Sequence, residues 1–151
     1  MIVEVEILRK LNHPNIIKLY DVYEDHSFVH IVTEAYFGQT LTKRLIEKPE
    51  CRFSLHDSLE IIRNILKGLE YLHSQNIMHR DMKPDNIMFK ESDGSYDLAI
   101  IDFGFATSAS KYKDLFTVCG TKGYAAPEVL LRKPYGLKSD IFGAGVIFYQ
   151  M

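Results

Sequence analysis

The stretch His79-Arg80-Asp81-Met82-Lys83-Pro84-Asp85-Asn86 decides how the rest of this chain is read. Asp81 and Asn86 lie five residues apart, with Lys83 between them. Fully extended, five residues would span about 17 Å. On a helix the two side chains would point to different faces. Pro84 opposes a regular helix here, because it lacks an N–H and its ring crowds the preceding turn. The segment therefore reads as a loop, and a loop can fold Asp81, Lys83 and Asn86 toward one point. Together they supply a carboxylate, an ammonium and an amide oxygen, the set that chemistry on a metal-held phosphate needs.

Downstream, two short strands over 86–90 and 96–101 flank Asp93-Gly94, a turn signal. The second strand, with Leu98-Ala99-Ile100-Ile101, runs directly into Asp102-Phe103-Gly104. Residues 102–126 lack strong periodicity and read as a long functional loop. It ends in Gly120-Thr121-Lys122-Gly123-Tyr124-Ala125-Ala126-Pro127-Glu128. Residues 140–151 are apolar nearly all round, as in a helix buried within a larger core. Gly143 and Gly145 weaken that helix by about 1 kcal/mol each, which suggests close packing at both.

Upstream, residues 1–11 read as a helix stopped at His13-Pro14-Asn15. Residues 16–23 and 27–33 are rich in Ile, Val, Tyr and Phe and read as an antiparallel pair of strands. Gly38 breaks the pattern, and a short helix is expected through Ile46. Ser54 and Asp57 open a longer helix with a capping-box-like pair. Its stripe is Leu55, Leu59, Ile62, Ile65, Leu66 and Leu69. The expected fold class is α+β, with part of a small β-rich lobe joined to a larger α-rich lobe.

The chain has 151 residues, 46% of them hydrophobic and 25% charged, with a formal net charge of −2. That balance fits one globular domain and gives no bulk-charge signal for nucleic acid. Cys51 and Cys119 are far apart and lack CxxC spacing, which fits a reducing compartment, the cytoplasm or the nucleus. The longest apolar run, Ile141 to Tyr149, is too short to span a bilayer.

Taken together, the motifs resemble the eukaryotic protein kinase family, serine/threonine type. The resemblance implies a partial two-lobed fold, with a truncated small lobe over 1–33, a hinge over 34–38 and an incomplete, mostly α-helical large lobe over 39–151. It implies ATP and Mg²⁺ as cofactors, protein substrates and an upstream activating kinase as partners. By the same resemblance Asp81 looks like the catalytic base, Lys83 the cation at the transferring phosphoryl, and Asn86 and Asp102 the metal ligands. Thr121 is implied to hydrogen-bond near Asp81, and Tyr124 to shape the floor for the substrate residue after the phosphoacceptor. Glu4 resembles the helix glutamate that pairs an ATP-anchoring lysine. Thr33, Glu34 and Tyr36 resemble the gatekeeper and hinge, and Met88 the apolar floor under adenine. Leu8, Leu19, His79 and Phe103 resemble a regulatory spine anchored by Asp140. Thr117, four residues before Thr121, resembles the activating phosphosite, with Arg80 as the cation for its phosphate; Thr107, Ser108 and Ser110 are weaker sites.

Within the class, Asp102-Phe103-Gly104-Phe105-Ala106 and the hinge look most like calcium/calmodulin-dependent and calcium-dependent kinases. Gly38-Gln39-Thr40 lacks the glutamate such kinases often use for a basic substrate residue. No glycine-rich phosphate loop or strand lysine precedes Glu4, and the family's further helices are not seen after Met151. The isolated chain is therefore expected to be weakly active or inactive. The alternatives are a pseudokinase or scaffold module, or an inactive partial gene product.

Overall fold

The structure, a computed structural model, describes residues 2–109 and 117–151; Ser110 lies outside them. Helix α1 covers Ile2–Leu8 and a hairpin follows, β1 Leu19–Glu24 with β2 Val29–Thr33. Then come α2 Leu41–Ile46, a 3₁₀ turn Pro49–Cys51 and the long α3, Leu55–Ser74. The short strand β3, Ile77–Met78, leads into a 3₁₀ turn, Pro84–Asn86, and β4, Ile87–Phe89. Strands β5, Leu98–Ile100, and β6, Thr107–Ser108, precede the helices α4, Pro127–Leu130, and α5, Lys138–Gln150. Among the described residues, three two-stranded antiparallel sheets pair β1 with β2, β3 with β6 and β4 with β5. The class is α+β, as expected.

The expected helix over 1–11 ends early, and the first expected strand begins three residues late. Residues 15–17 are instead held parallel to β5. Ile17 N–H donates to the Ile100 carbonyl (3.0 Å) and Ile100 N–H to the Asn15 carbonyl (2.9 Å). The buried Asn15 amide donates to the Leu98 carbonyl at 2.9 Å, a partner that a buried amide requires. The long loop over 102–126 is also interrupted. Thr107 and Ser108 pair with Met78 and Ile77, which buries Thr107.

Helix α3 starts as its capping residues suggest, with Asp57 N–H donating to Ser54 Oγ at 3.1 Å. Its stripe needs correction. The core face is Ile61, Ile65, Gly68, Leu69 and Leu72, whereas Leu55, Leu59 and Leu66 are exposed. The helix is apolar on two faces, so periodicity alone does not select the inner one. Phe89, Phe103, Ile16, Leu41 and Leu98 complete the fully buried centre.

Helix α5 is also apolar on two faces, one of them exposed. Ser139, Asp140, Gly143, Ala144 and Ile147 are buried, while Ile141, Phe142, Phe148 and Tyr149 are exposed. Gly143 lets α5 approach the loop before β4. A Cβ there would lie 2.8 Å from Met82 Cβ. At Gly145 an added Cβ meets nothing within 4 Å among the described residues, so close packing among them does not account for that glycine. Among the described residues no helix is long and apolar enough to cross a membrane.

The two glycines give opposite expectations under chemical denaturation. Gly143→Ala should lower the unfolding free energy by about 1–3 kcal/mol through overpacking. Gly145→Ala should raise it by up to about 1 kcal/mol through helix propensity. Equal midpoints for the two variants would contradict this packing.

Candidate active site

The loop between β3 and β4 is built around Asp140 of α5. This buried carboxylate accepts the backbone N–H of His79 through Oδ2 (3.0 Å) and that of Arg80 through Oδ1 (2.8 Å). His73, in the last turn of α3, donates its Nε2–H to the same Oδ2 at 2.9 Å. His79 is fully buried, donates Nε2–H to the Ile101 carbonyl (3.0 Å) and accepts Asp81 N–H on Nδ1 (3.3 Å). One neutral tautomer meets both bonds. Its ring lies edge-on to Phe103, with centroids 5.0 Å apart, and Phe103 shares a buried cluster with Leu8. Leu19 packs partly buried against that cluster.

From this anchor Asp81, Lys83, Asn86 and Thr121 converge. Thr121 Oγ1 donates to Asp81 Oδ1 at 2.8 Å. Lys83 Nζ lies 2.8 Å from Asp81 Oδ2 and donates to Thr121 Oγ1 at 3.0 Å. The Asn86 amide donates to the Asp81 carbonyl (2.8 Å) and to Oδ2 (3.1 Å). A carboxylate offers about four lone-pair sites. Among the described residues three of those on Asp81 are taken, and one on Oδ1 is left for a further donor. Burial pushes the Asp81 carboxyl up. The hydrogen bonds from Lys83 and Thr121, the Lys83 charge and the Asn86 amide outweigh it and hold the group below the usual carboxylate range. Lys83 is raised, chiefly by its bond to Asp81 against a smaller desolvation, with the Asp102 charge adding to the rise.

Asp102 is exposed and sits one residue beyond Ile101, whose N–H donates to the Asn86 carbonyl at 2.9 Å. Its backbone is left-handed (φ 60°), as is that of Arg80 (φ 68°). Such conformations cost on the order of 1–3 kcal/mol and persist where the surroundings over-determine them. Asp102 Oδ1 accepts Gly104 N–H at 3.1 Å, and the amide oxygen of Asn86 takes no bond among the described residues. Both present hard oxygen, which fits a magnesium ion that keeps water and phosphate as its other ligands. Among the described residues no cluster of three or more His, Cys, Asp or Glu could hold an ion by protein groups alone.

The remaining expected residues border this centre. Thr33 ends β2, where it pairs with Leu19, and Met88 lies half-buried in β4. Glu34 N–H is taken by the Lys18 carbonyl (2.9 Å). The Glu34 carbonyl and both backbone groups of Tyr36 make no bond among the described residues. The Tyr36 hydroxyl donates to Glu34 Oε2 at 3.0 Å; burial and that carboxylate push the phenol well up. Glu4 is half-buried in α1, without an ion-pair partner among the described residues. Thr117 is exposed. Arg80 donates Nε–H to the Phe105 carbonyl at 2.7 Å and has no carboxylate partner among the described residues. Two participants carry no motif in the sequence: His73, and Tyr135, whose hydroxyl accepts from Arg80 Nη1 at 3.4 Å. A histidine in a last helical turn is at most a weak signal for a C-terminal contact.

This fold and constellation are those of a protein kinase core. The family model for the protein kinase domain matches residues 1–151, and the chain belongs to that family. It is 40% identical over 149 residues to calcium/calmodulin-dependent protein kinase type 1 of Macrobrachium nipponense, and 39% over 149 to that of Caenorhabditis elegans. It is 41% identical over 146 residues to calcium-dependent protein kinase 5 of Plasmodium berghei. These matches cover 97% of this chain but 41%, 41% and 25% of the respective relatives. The chain is thus a protein kinase domain segment with a partial two-lobed fold.

Two outcomes test the site's electrostatics. Asp140→Ala should cost about 2–5 kcal/mol, since two backbone donors and His73 lose their acceptor; equilibrium denaturation measures it. Because the Asp81 carboxyl is depressed in the fold, its stabilisation is present above the ordinary carboxylate value of about 3.9 and fades as pH falls through the folded one. Lys83→Met should move the Asp81 titration upward in a carbon-detected NMR titration, and an unmoved titration would contradict the pairing.

Proposed function

We propose that this chain supplies the catalytic centre of a protein serine/threonine kinase, transferring the γ-phosphoryl of ATP to Ser or Thr hydroxyls of protein substrates. The observation that carries the reading is the closed set of bonds among Asp81, Lys83, Thr121 and Asn86, with Asp102 next to it. A binding module has no chemical use for a carboxylate held charged with one lone pair left open.

Asp81 is too weak a base to strip a hydroxyl at neutral pH. Phosphoryl transfer passes through a loose transition state, so early deprotonation is not required. Asp81 orients the hydroxyl with its open lone pair and accepts the proton late. Lys83 places a compact positive charge at the transferring group and keeps Asp81 ionised. Thr121 fixes the rotamer of Asp81 from the substrate side. Asn86 and Asp102 are the residues that would hold Mg²⁺, which supplies charge neutralisation for the phosphates when bound.

Residues 1–33 serve as the small-lobe part, 34–38 as the hinge and 39–151 as the large-lobe part. The free backbone groups of Glu34 and Tyr36 receive adenine above Met88, behind Thr33. Glu4 faces the phosphates through a lysine. Thr117 takes an activating phosphate from an upstream kinase, and Arg80 meets it with a guanidinium fork. The likeness to calcium/calmodulin-dependent and calcium-dependent kinases supports a calcium-regulated setting inside the cell. Cys51 and Cys119 as free thiols fit that compartment.

The test is the Asp81→Asn variant of the full-length protein. It should lose about a hundred- to a thousandfold in turnover of a serine or threonine peptide, as removal of a group acting in the transition state does. Binding of magnesium-ATP should remain within a few-fold, read by calorimetry. Turnover near wild type would refute the role of Asp81.

A further inference from the structure

Tyr135 lies between α4 and α5, outside every motif that marks the site. Its hydroxyl nevertheless stands where the catalytic loop meets the segment leading to Thr121. It donates to the Thr117 carbonyl at 2.8 Å. Arg80 Nη1 donates to it at 3.4 Å, and Cys119 Sγ lies 3.6 Å away. A phenol offers one proton and accepts through its oxygen. Here the proton goes to Thr117, and Arg80 and the Cys119 thiol share the oxygen. Burial and then the Cys119 contact push the phenol up, against a smaller pull from Arg80. The group therefore stays a donor at neutral pH.

A close approach and a further bond tie the same segment to the loop between β3 and β4. Gly120 has φ 96°, and a Cβ there would lie 2.7 Å from the Arg80 carbonyl oxygen. One residue on, Thr121 holds Asp81. Residues 117–121 are thus held by a hydrogen bond at each end, with a close backbone approach at Gly120 between them. Of the two bonds, only that of the Tyr135 hydroxyl comes from outside both segments. This hydroxyl is also the group that engages Arg80 and Thr117 together, the pair that a phosphate on Thr117 would join.

We propose that the Tyr135 hydroxyl is a positioning group that clamps residues 117–121 onto Arg80, so that Thr121 stays on Asp81 without a phosphate on Thr117. The clamp stands on geometry alone; its catalytic consequence rests on the kinase reading above. A clamp of this kind gives the unmodified protein a basal, substrate-ready arrangement, and phosphorylation then reinforces it.

The experiment is Tyr135→Phe in the full-length protein, which keeps the ring and removes one oxygen. Amide hydrogen exchange over 117–121 should speed up roughly five- to tenfold, the equilibrium factor of one lost hydrogen bond. Exchange in α3 should not change. Alkylation of Cys119 should rise by a similar factor relative to Cys51, whose exposure makes it the internal standard. In turnover assays the peptide KM should rise while the ATP KM holds. Unchanged exchange and labelling would overturn the clamp, and so would faster exchange spread over the whole chain. A loosened segment with an unmoved peptide KM would overturn its catalytic role. If the wild-type protein fails to transfer phosphate from magnesium-ATP, the kinase reading falls, while exchange and labelling still decide the clamp.

Discussion

The bond from the Asp140 carboxylate to the backbone amides of His79 and Arg80 is the constraint on which the site depends. A loop that carries Asp81, Lys83 and Asn86 must bury polar backbone, and Arg80 in it takes a left-handed conformation. Neither is favourable alone. A buried acceptor that satisfies two donors at once, and is itself held by His73, outweighs both costs. Because Asp140 is in the first turn of α5, the position of the loop is set by a rigid helix and not by its own residues. Gly143, one turn further along the same helix, sets how closely the helix lies against Met82.

A second set of bonds comes from the opposite side. Thr121 and Lys83 share Asp81, and each fixes the other. The carboxylate is therefore held charged although it is buried, which an isolated carboxylate in that place would not be. The same bonds leave it a poor base. An aspartate of this kind suits a reaction whose transition state asks for orientation and charge compensation in place of strong proton abstraction.

Much of the outline was legible beforehand. The hairpin, the long helix with its Ser54 cap and the order of the motifs follow from local pattern, because periodicity and capping are properties of neighbouring residues. The inner face of α3 is not legible, as Leu55, Leu59 and Leu66 face outward while Ile61 and Leu72 face in. A helix with two apolar faces does not carry the choice between them in its own sequence. The strand pair Ile77–Met78 with Thr107–Ser108 was missed, since two residues leave no period to read.

The sequence by itself determined the chemical types at the site and their order along the chain. The string from His79 to Asn86, the Asp102-Phe103-Gly104 triplet and Thr121 all lie in recognisable spacing, and spacing is local information. Only the tertiary structure decided the atoms through which those groups meet and the further residues that hold them. Asp140 reaches across 61 residues to His79, Thr121 across 40 to Asp81, and Tyr135 across 55 to Arg80. Contacts at those separations depend on how helices and loops pack; the resemblance implied partners for Thr121 and Asp140, whereas Tyr135 carries no local mark of its own.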